Sequence, residues 1–196
     1  GKSTTIKILC GILHPTRGFA AVMGRKPYEN SRLNSRNIGV LFGQKTQLWW
    51  DLPIIETLKL HRELYSISKN NYQAQLKLLN EMLELDEFED KPVRQLSLGQ
   101  RMRGELAAAV LHRPPILILD EPTIGMDIIV KERIRKFLVD INKREGTTII
   151  LTTHDLGEIE KTCDRAIVLN HGGKVFDGNL VDLKNGSNAD STVTIN

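Results

Sequence analysis

The feature that most limits the fold is a short apolar run at 116–119 (ILIL), preceded by two prolines and followed by two acids. The run is too short for a packed helix, and the prolines prevent a helix from continuing into it. An unbroken apolar run of this length is typical of a strand buried on both faces in a parallel sheet. A second buried strand is predicted at 147–152 (TTIILT). Because helical patterns separate these runs, the sequence predicts an α/β fold around a mostly parallel sheet.

The rest of the chain predicts helices and short strands around this sheet. Apolar side chains recur at helical spacing within residues 1–18, and Pro15 and Gly18 end that first helix. Further helices are predicted at 54–66, 70–86, 98–112, 128–145 and 155–162, strands at 19–24 and 38–42, and a hairpin at 165–170 and 174–177. The interval 54–112 is predicted to be helical throughout and to form an insertion between two strand-bearing parts.

Composition and charge exclude several classes of protein. The 196 residues are 40% hydrophobic and 26% charged, which is ordinary for one globular domain with an elaboration and unlike a disordered chain. No apolar run approaches the length of a membrane-spanning helix. The net charge of +3 is too small to indicate nucleic-acid binding by itself. Cys10 and Cys163 are too far apart in sequence to form a CxxC zinc motif.

The chain begins with Gly1-Lys2-Ser3-Thr4, directly before the first amphipathic helix. These residues match the end of the phosphate-binding loop G-x-x-x-x-G-K-S/T, in which backbone N–H groups surround phosphates, the lysine reaches the β- and γ-phosphates and the hydroxyl binds Mg²⁺. The alternative is an exposed basic helix start. The first glycine of the loop would lie upstream of Gly1, so the sequence indicates a chain that begins inside the motif.

Asp120 and Glu121 follow the first apolar strand, at the strand end where α/β sheets place their ligands. An aspartate there can hold Mg²⁺, usually through water, and the acid after it can orient or deprotonate a water. The alternative is that the pair, followed by Pro122, simply ends the strand.

The segment 96–100 (LSLGQ) lies at the start of the predicted helix 98–112. Ser97 and Gln100 have the spacing of a capping box, which predicts a well-capped helix. The serine hydroxyl, the N–H of Gly99 and the helix N-terminus could equally form an anion site. The residues alone leave both interpretations open.

In combination, these motifs resemble the nucleotide-binding domain of the ABC (ATP-binding cassette) ATPases. The elements occur in the order of that family: Gly1-Lys2-Ser3-Thr4, Gln44, LSLGQ, ILILDEPT, Gly125-Met126-Asp127 and His154. The resemblance covers residues 1–183, and the polar tail 184–196 is expected to begin a C-terminal extension. It implies a P-loop NTPase fold with a RecA-like core and a helical ABC-specific subdomain at about 54–112. The N-terminal strands and the first half of the phosphate loop would precede residue 1.

The resemblance also implies a role for each motif residue. The residues that would bind the phosphates of ATP are Gly1, Lys2, Ser3 and Thr4. Those that would hold Mg²⁺ are Ser3, Gln44 and Asp120. The catalytic residues would be Glu121 as base, Gln44 in the Q-loop and the switch histidine His154. The signature residues that would close on the ATP of a second cassette are Ser97, Gly99 and Gln100, with Asp127 in the D-loop at the same interface.

The function that the resemblance implies is that of an ATP-binding and ATP-hydrolysing subunit of an ABC transporter. Leu98 replaces a glycine of the usual LSGGQ signature, a variation similar to that of exporter-type members. The segment 42–53 resembles bacterial exporter ATPases of the drug- and polysaccharide-export type, so we expect an exporter on the cytoplasmic face of the membrane. The partners implied are transmembrane subunits and a second ABC ATPase subunit, with no nucleic acid. At least one of Trp49 and Trp50 is expected to contact the membrane subunit, unless both pack into the helical subdomain. The alternative function is a degenerate, non-catalytic cassette without a complete phosphate loop.

Overall fold

The computed structural model describes residues 1–43 and 45–186. Gln44 therefore lies outside the described residues, as does the tail from 187 to 196, which includes most of the predicted extension. None of the described helices combines the length and apolarity that crossing a membrane requires.

Three parallel strands form the main sheet: β1 (Ile38–Phe42), β2 (Ile116–Asp120) and β3 (Thr148–Thr152), in the order β1-β2-β3. The central strand β2 is buried at Leu117, Ile118 and Leu119, as an apolar strand between two neighbours should be. The prediction of a mostly parallel sheet is confirmed.

The burial predicted for β3 is wrong, although its position is right. Ile149 and Leu151 pack against the core, but Ile150 on the opposite face is 36% exposed. The reason is that, within the described residues, β3 pairs with β2 alone, so one edge and part of one face are uncovered.

Eight helices and a separate hairpin complete the described chain. The helices are α1 (Lys2–Leu9), α2 (Ser31–Asn37), α3 (Ile54–Leu64), α4 (Lys69–Leu83), α5 (Leu98–Val110), α6 (Ile128–Glu145), α7 (Leu156–Thr162) and α8 (Leu180–Gly186). The hairpin pairs β4 (Arg165–Asn170) with β5 (Gly173–Asn179) in antiparallel fashion. The five helices predicted after residue 54 and the hairpin are confirmed to within a few residues.

The first third of the chain departs most from the prediction. The first helix ends at Leu9, because the chain turns at Gly11, where φ is +76° and a Cβ would lie 2.5 Å from the carbonyl oxygen of Pro27. The predicted strand 19–24 is wrong: Val22 and Arg25 form an isolated bridge, and no described strand pairs with this segment. Helix α2 was not predicted; its cap is Asn30, whose side chain accepts from the N–H of Leu33.

The interval 54–112 is not helical throughout. Two short 3-10 turns, Leu85–Glu87 and Val93–Gln95, and their connecting loops separate α4 from α5. Glu84 takes a left-handed conformation with φ of 50°, which stops α4.

Helix α5 is the centre of the hydrophobic core. Every residue from 102 to 110 is buried, between the sheet on one side and α3 and α4 on the other. Its contact with β1 is close: a Cβ on Gly39 would lie 2.3 Å from the carbonyl oxygen of Ala109. Such a contact leaves no room for any side chain at position 39.

We predict that Gly39→Ala destabilises the protein by about 2 kcal/mol or more, because the added methyl group pushes β1 away from the backbone of α5. Gly173→Ala is the matched control, since a Cβ there meets its nearest atom at an ordinary 3.5 Å. Urea unfolding of both variants measures the difference. Equal stability of the two variants would contradict the close packing of β1 on α5.

A histidine that follows α5 is packed among aromatic rings. His112 stacks on Tyr65 with ring centroids 3.9 Å apart, and the ring of His61 lies against the edge of Tyr65. Burial, together with the neighbouring His61, lowers the pKa of His112 from 6.5 to about 4. Burial also lowers the pKa of His61.

As the pH falls, these histidines take up protons at a higher pH in the unfolded chain than in the folded chain. The free energy of unfolding should therefore decrease as the pH drops from about 6.5 towards 4. For His112 alone we expect a loss of about 2 kcal/mol between pH 7.5 and pH 5. Urea unfolding at both pH values measures it, with His112→Phe as the variant that keeps the stacking. The loss should shrink in that variant, and an unchanged pH dependence would exclude His112 as its source.

Candidate active site

The N-terminus of α1 presents cationic and hydroxyl groups to one side of the sheet. Gly1 is the N-cap and has no side chain to accept the N–H groups of the first turn, which also contains no acid. Ser3 and Thr4 are exposed there. The ammonium group of Lys2 reaches back to donate to the carbonyl oxygen of Thr153 at 3.3 Å. This end of the helix is therefore positive and open, as an anion site requires.

The two acids stand at the carboxyl end of β2, level with the ends of both neighbouring strands. Asp120 accepts a hydrogen bond from the hydroxyl of Thr152 on β3 at 2.5 Å. The N–H of Glu121 donates to the carbonyl oxygen of Thr152 at 3.0 Å. Glu121 has φ of 54°, a left-handed conformation that is costly for a non-glycine residue and that concentrates at functional sites.

The carboxylate of Glu121 lies between a lysine and a histidine. One oxygen is 3.6 Å from Nζ of Lys2, and the other is 2.9 Å from Nδ1 of His154. The carboxylate is about one-quarter exposed, whereas the imidazole is 68% exposed. The structure thus brings three of the sequence-predicted residues, from three separate elements, into one group.

Sequence reasoning missed the residues that hold this group in place. Glu158 on α7 is 2% exposed, and its carboxylate accepts hydrogen bonds from the hydroxyls of Thr123 and Thr153. Thr123 follows Glu121 by two residues and Thr153 precedes His154, so one buried carboxylate connects the two loops. An acid in the first turn of a helix is ordinarily a solvated, dipole-stabilised group, and the sequence carried no signal for its burial.

A second missed residue is Gly43, just after β1. Its N–H donates to the carbonyl oxygen of Asp120 at 3.0 Å, and a Cβ would lie 2.6 Å from the same oxygen. Only glycine allows this approach. Its sequence signal was its place at the end of a predicted strand.

The signature residues lie elsewhere. Ser97 and Gln100 form the predicted capping box, each side chain bonding the backbone N–H of the other, so that prediction is confirmed. Gly99 lies against α6, where a Cβ would meet the side chain of Val130 at 2.9 Å. Asp127 caps α6 by accepting from the N–H of Val130 at 2.9 Å. Among the described residues, no hydrogen bond or ion pair joins these four to Lys2, Glu121 or His154.

The oxygens of Ser3 at the start of α1 and of Asp120 at the end of β2 are of the kind that Mg²⁺ takes together with a phosphate ligand. Within the part of the chain that the structure describes, no three His, Cys, Asp or Glu side chains form a ready metal cage. Mg²⁺ does not need one, because it keeps several waters and takes one or two protein oxygens together with phosphate oxygens. Ser3 and Asp120 supply a hydroxyl and a carboxylate of the required hardness.

Comparison with known proteins decides the family. The model of the ABC transporter family matches residues 1–124. The chain belongs to this family. The α/β fold predicted from the sequence is confirmed by the solved cassettes that it resembles. One of them is the dimeric ATP-binding cassette MJ0796 bound to ADP and Pi, with a TM-score of 0.79 and 28% identity over 92% of this chain and 81% of that one.

Curated relatives include proteins of both transport directions. NatA of Bacillus subtilis, an ABC transporter ATP-binding protein, is 30% identical over 93% of this chain and 74% of its own length. The methionine import protein MetN of Geobacillus kaustophilus is 35% identical over 93% of this chain and 54% of its own. The Nod factor export ATP-binding protein I of Burkholderia lata is 34% identical over 91% of this chain and 58% of its own length.

Proposed function

We propose that this chain binds ATP and hydrolyses it as the ATP-binding subunit of an ABC transporter. The observation that carries the proposal is the carboxylate of Glu121, held between Lys2 and His154 at the positive end of α1. A cation, a helix N-terminus and a partly buried base in one place are what phosphoryl transfer to water requires. We propose that residues 1–183 form this cassette and that 184–196 begin an extension.

The proposed mechanism starts from the ion pair between Lys2 and Glu121. An incoming triphosphate competes for Lys2, and the loss of that partner frees the carboxylate of Glu121 to accept a proton from a water. His154, which pairs with the other carboxylate oxygen of Glu121, would contact the γ-phosphate. Ser3 and Asp120, with Gln44 as the family resemblance implies, would hold Mg²⁺, which neutralises phosphate charge when bound.

We propose that the active unit contains two cassettes. Because Ser97, Gly99 and Gln100 make no described contact with the phosphate side of their own chain, a second cassette would bring its signature to this ATP. The cassette MJ0796, dimeric with ADP and Pi, supports this arrangement.

We propose export as the direction of transport and the cytoplasmic face of the membrane as the location, with separate transmembrane subunits. The relative named as a Nod factor export protein supports export. The relatives named as methionine import proteins favour uptake as the second candidate. Transport assays on vesicles of defined orientation separate the two directions.

We predict that Glu121→Gln lowers ATP turnover by about a hundredfold to ten-thousandfold, because the amide cannot accept the proton of the attacking water. ATP should still bind, since Lys2 and the helix N-terminus are unchanged. Turnover and ATP affinity of the full-length protein measure the two effects, with Glu29→Gln, an exposed acid that pairs with Lys26 before α2, as the control.

Normal turnover in Glu121→Gln would remove this residue from the role of base. An absence of turnover in the full-length wild-type protein, with its partner cassette and membrane subunits present, would favour the non-catalytic cassette instead.

The surface proposed for the membrane subunit contains Trp49 and Trp50, which are 53% and 51% exposed. We predict that Trp49→Ala with Trp50→Ala weakens assembly with the transmembrane subunit while basal ATP turnover stays, because aromatic anchors supply much of an interface's binding energy. Co-purification and transport-coupled turnover measure the effect. Exposed Leu64→Ala in α3 is the control, and intact assembly in the double variant would contradict the assignment.

A further inference from the structure

Both tryptophans of the sequence lie in one short segment, residues 46–52, which we call the tryptophan loop. Leu48 in its middle is buried at 3% exposure, whereas Trp49 and Trp50 after it are half exposed. An exposed loop that follows a strand ordinarily has freedom to move. This loop is instead fixed at both ends, and both attachments lead to helix α5 or to the segment directly before it.

The first attachment is a buried carboxylate. Glu105 on α5 is 5% exposed, and both of its oxygens accept from the N–H of Gln47 at 3.2 Å. The hydroxyl of Thr46 donates to one of the same oxygens. The side-chain amide of Gln47 adds a bond to the backbone carbonyl of Glu105 at 3.1 Å.

The buried carboxylate of Glu105 depends on hydrogen bonds from the tryptophan loop. Burial raises the pKa of its carboxyl, and the hydrogen bonds from Thr46 and Gln47 oppose that rise. Within the described residues, every donor that faces this carboxylate belongs to the tryptophan loop. Loss of these donors would leave a buried carboxylate without hydrogen bonds, which is strongly destabilising. The contact therefore fixes the position of the loop relative to α5.

Packing reinforces the same contact. Gly104, beside Glu105, leaves the space that Leu48 and Ile54 fill, since a Cβ there would lie 3.3 Å from Leu48 and 2.5 Å from Ile54. The apolar side of the loop is thus seated directly on α5.

The second attachment lies just before the signature. The N–H of Val93 donates to the carbonyl oxygen of Leu52 at 3.1 Å, and the N–H of Arg94 donates to that of Trp50 at 3.0 Å. Arg94 also pairs with Asp51 at 3.1 Å. Arg101 on α5 lies 6.0 Å over the ring of Trp50. Ser97, the N-cap of α5, lies in the sequence between Arg94 and Arg101.

We propose that Glu105 is a positioning residue that joins the tryptophan loop to the signature end of α5 as one rigid unit. A movement of Ser97 towards a nucleotide then displaces Trp49 and Trp50, and a membrane subunit seated on the tryptophans displaces Ser97. The inference rests on the proposed function, because ATP supplies the movement.

Tryptophan fluorescence tests the proposal in the full-length protein, after any tryptophan outside this segment is replaced by phenylalanine. The parent protein for this test carries Glu121→Gln, which we expect to retain ATP, and acrylamide quenching of Trp49 and Trp50 is measured with and without ATP and Mg²⁺. ATP binding is measured separately by calorimetry. We expect ATP to change the quenching constant, and we expect Glu105→Ala to abolish at least half of that change while ATP still binds.

Glu105→Gln should restore the change, because its amide oxygen can accept from Gln47 and its NH₂ group can donate to the Thr46 hydroxyl. Glu81→Ala, an exposed acid on α4, is the matched control and should behave as the parent does. If Glu105→Ala does not fold, Thr46→Val tests the same contact from the loop and should reduce the change.

The outcomes distinguish a failure of the proposed function from a failure of the role proposed for Glu105. A parent that does not bind ATP would overturn the proposed function and this inference together. A parent that binds ATP, with a quenching change that survives in both Glu105→Ala and Thr46→Val, would overturn the role of Glu105 alone. A parent that binds ATP without any change in quenching would overturn the rigid unit and leave the proposed function intact.

Discussion

The register of the parallel sheet is the constraint on which the candidate site depends. Phe42, Asp120 and Thr152 stand level at the carboxyl ends of three paired strands. Because of that register, the residue after β1 bonds the backbone of Asp120, and the last residue of β3 bonds both acids. A slip of one residue would turn Asp120 to the other face of the sheet. The apolar core around α5 holds this register, since a full side chain cannot fit between β1 and α5 at Gly39.

Two buried carboxylates fix the positions of loops that follow the strand ends. Loops beyond the strand ends have too little apolar surface to hold themselves in place, and here carboxylates do so. Glu158 connects the loops that carry Glu121 and His154, while Glu105 connects the tryptophan loop to α5. In both cases, donors on the loops satisfy a charge that burial would otherwise penalise. The strain of the left-handed Glu121 persists because its neighbours are fixed in this way.

Most of the fold followed from local patterns. The apolar runs of β1 and β2, the amphipathic helices after residue 54, and the capping box at Ser97 all express short-range preferences that the sequence states directly. The failures lie where long-range context decides. Residues 19–24 are apolar enough for a strand, but a strand needs a partner, and none of the described strands pairs with them. The outer face of β3 is exposed for the same reason.

The sequence by itself determined which chemical groups the site contains, because Lys2, Ser3, Asp120, Glu121 and His154 are recognisable by type, order and place at element ends. It also determined the family, through the ordered set of motifs. Only the tertiary structure decided how these groups are held: that Glu121 lies between Lys2 and His154, that Glu158 and Glu105 are buried, and that, within the described residues, no hydrogen bond joins Ser97 or Gln100 to that group. The physical reason is that burial and hydrogen bonding depend on residues distant in sequence, which local preference does not encode.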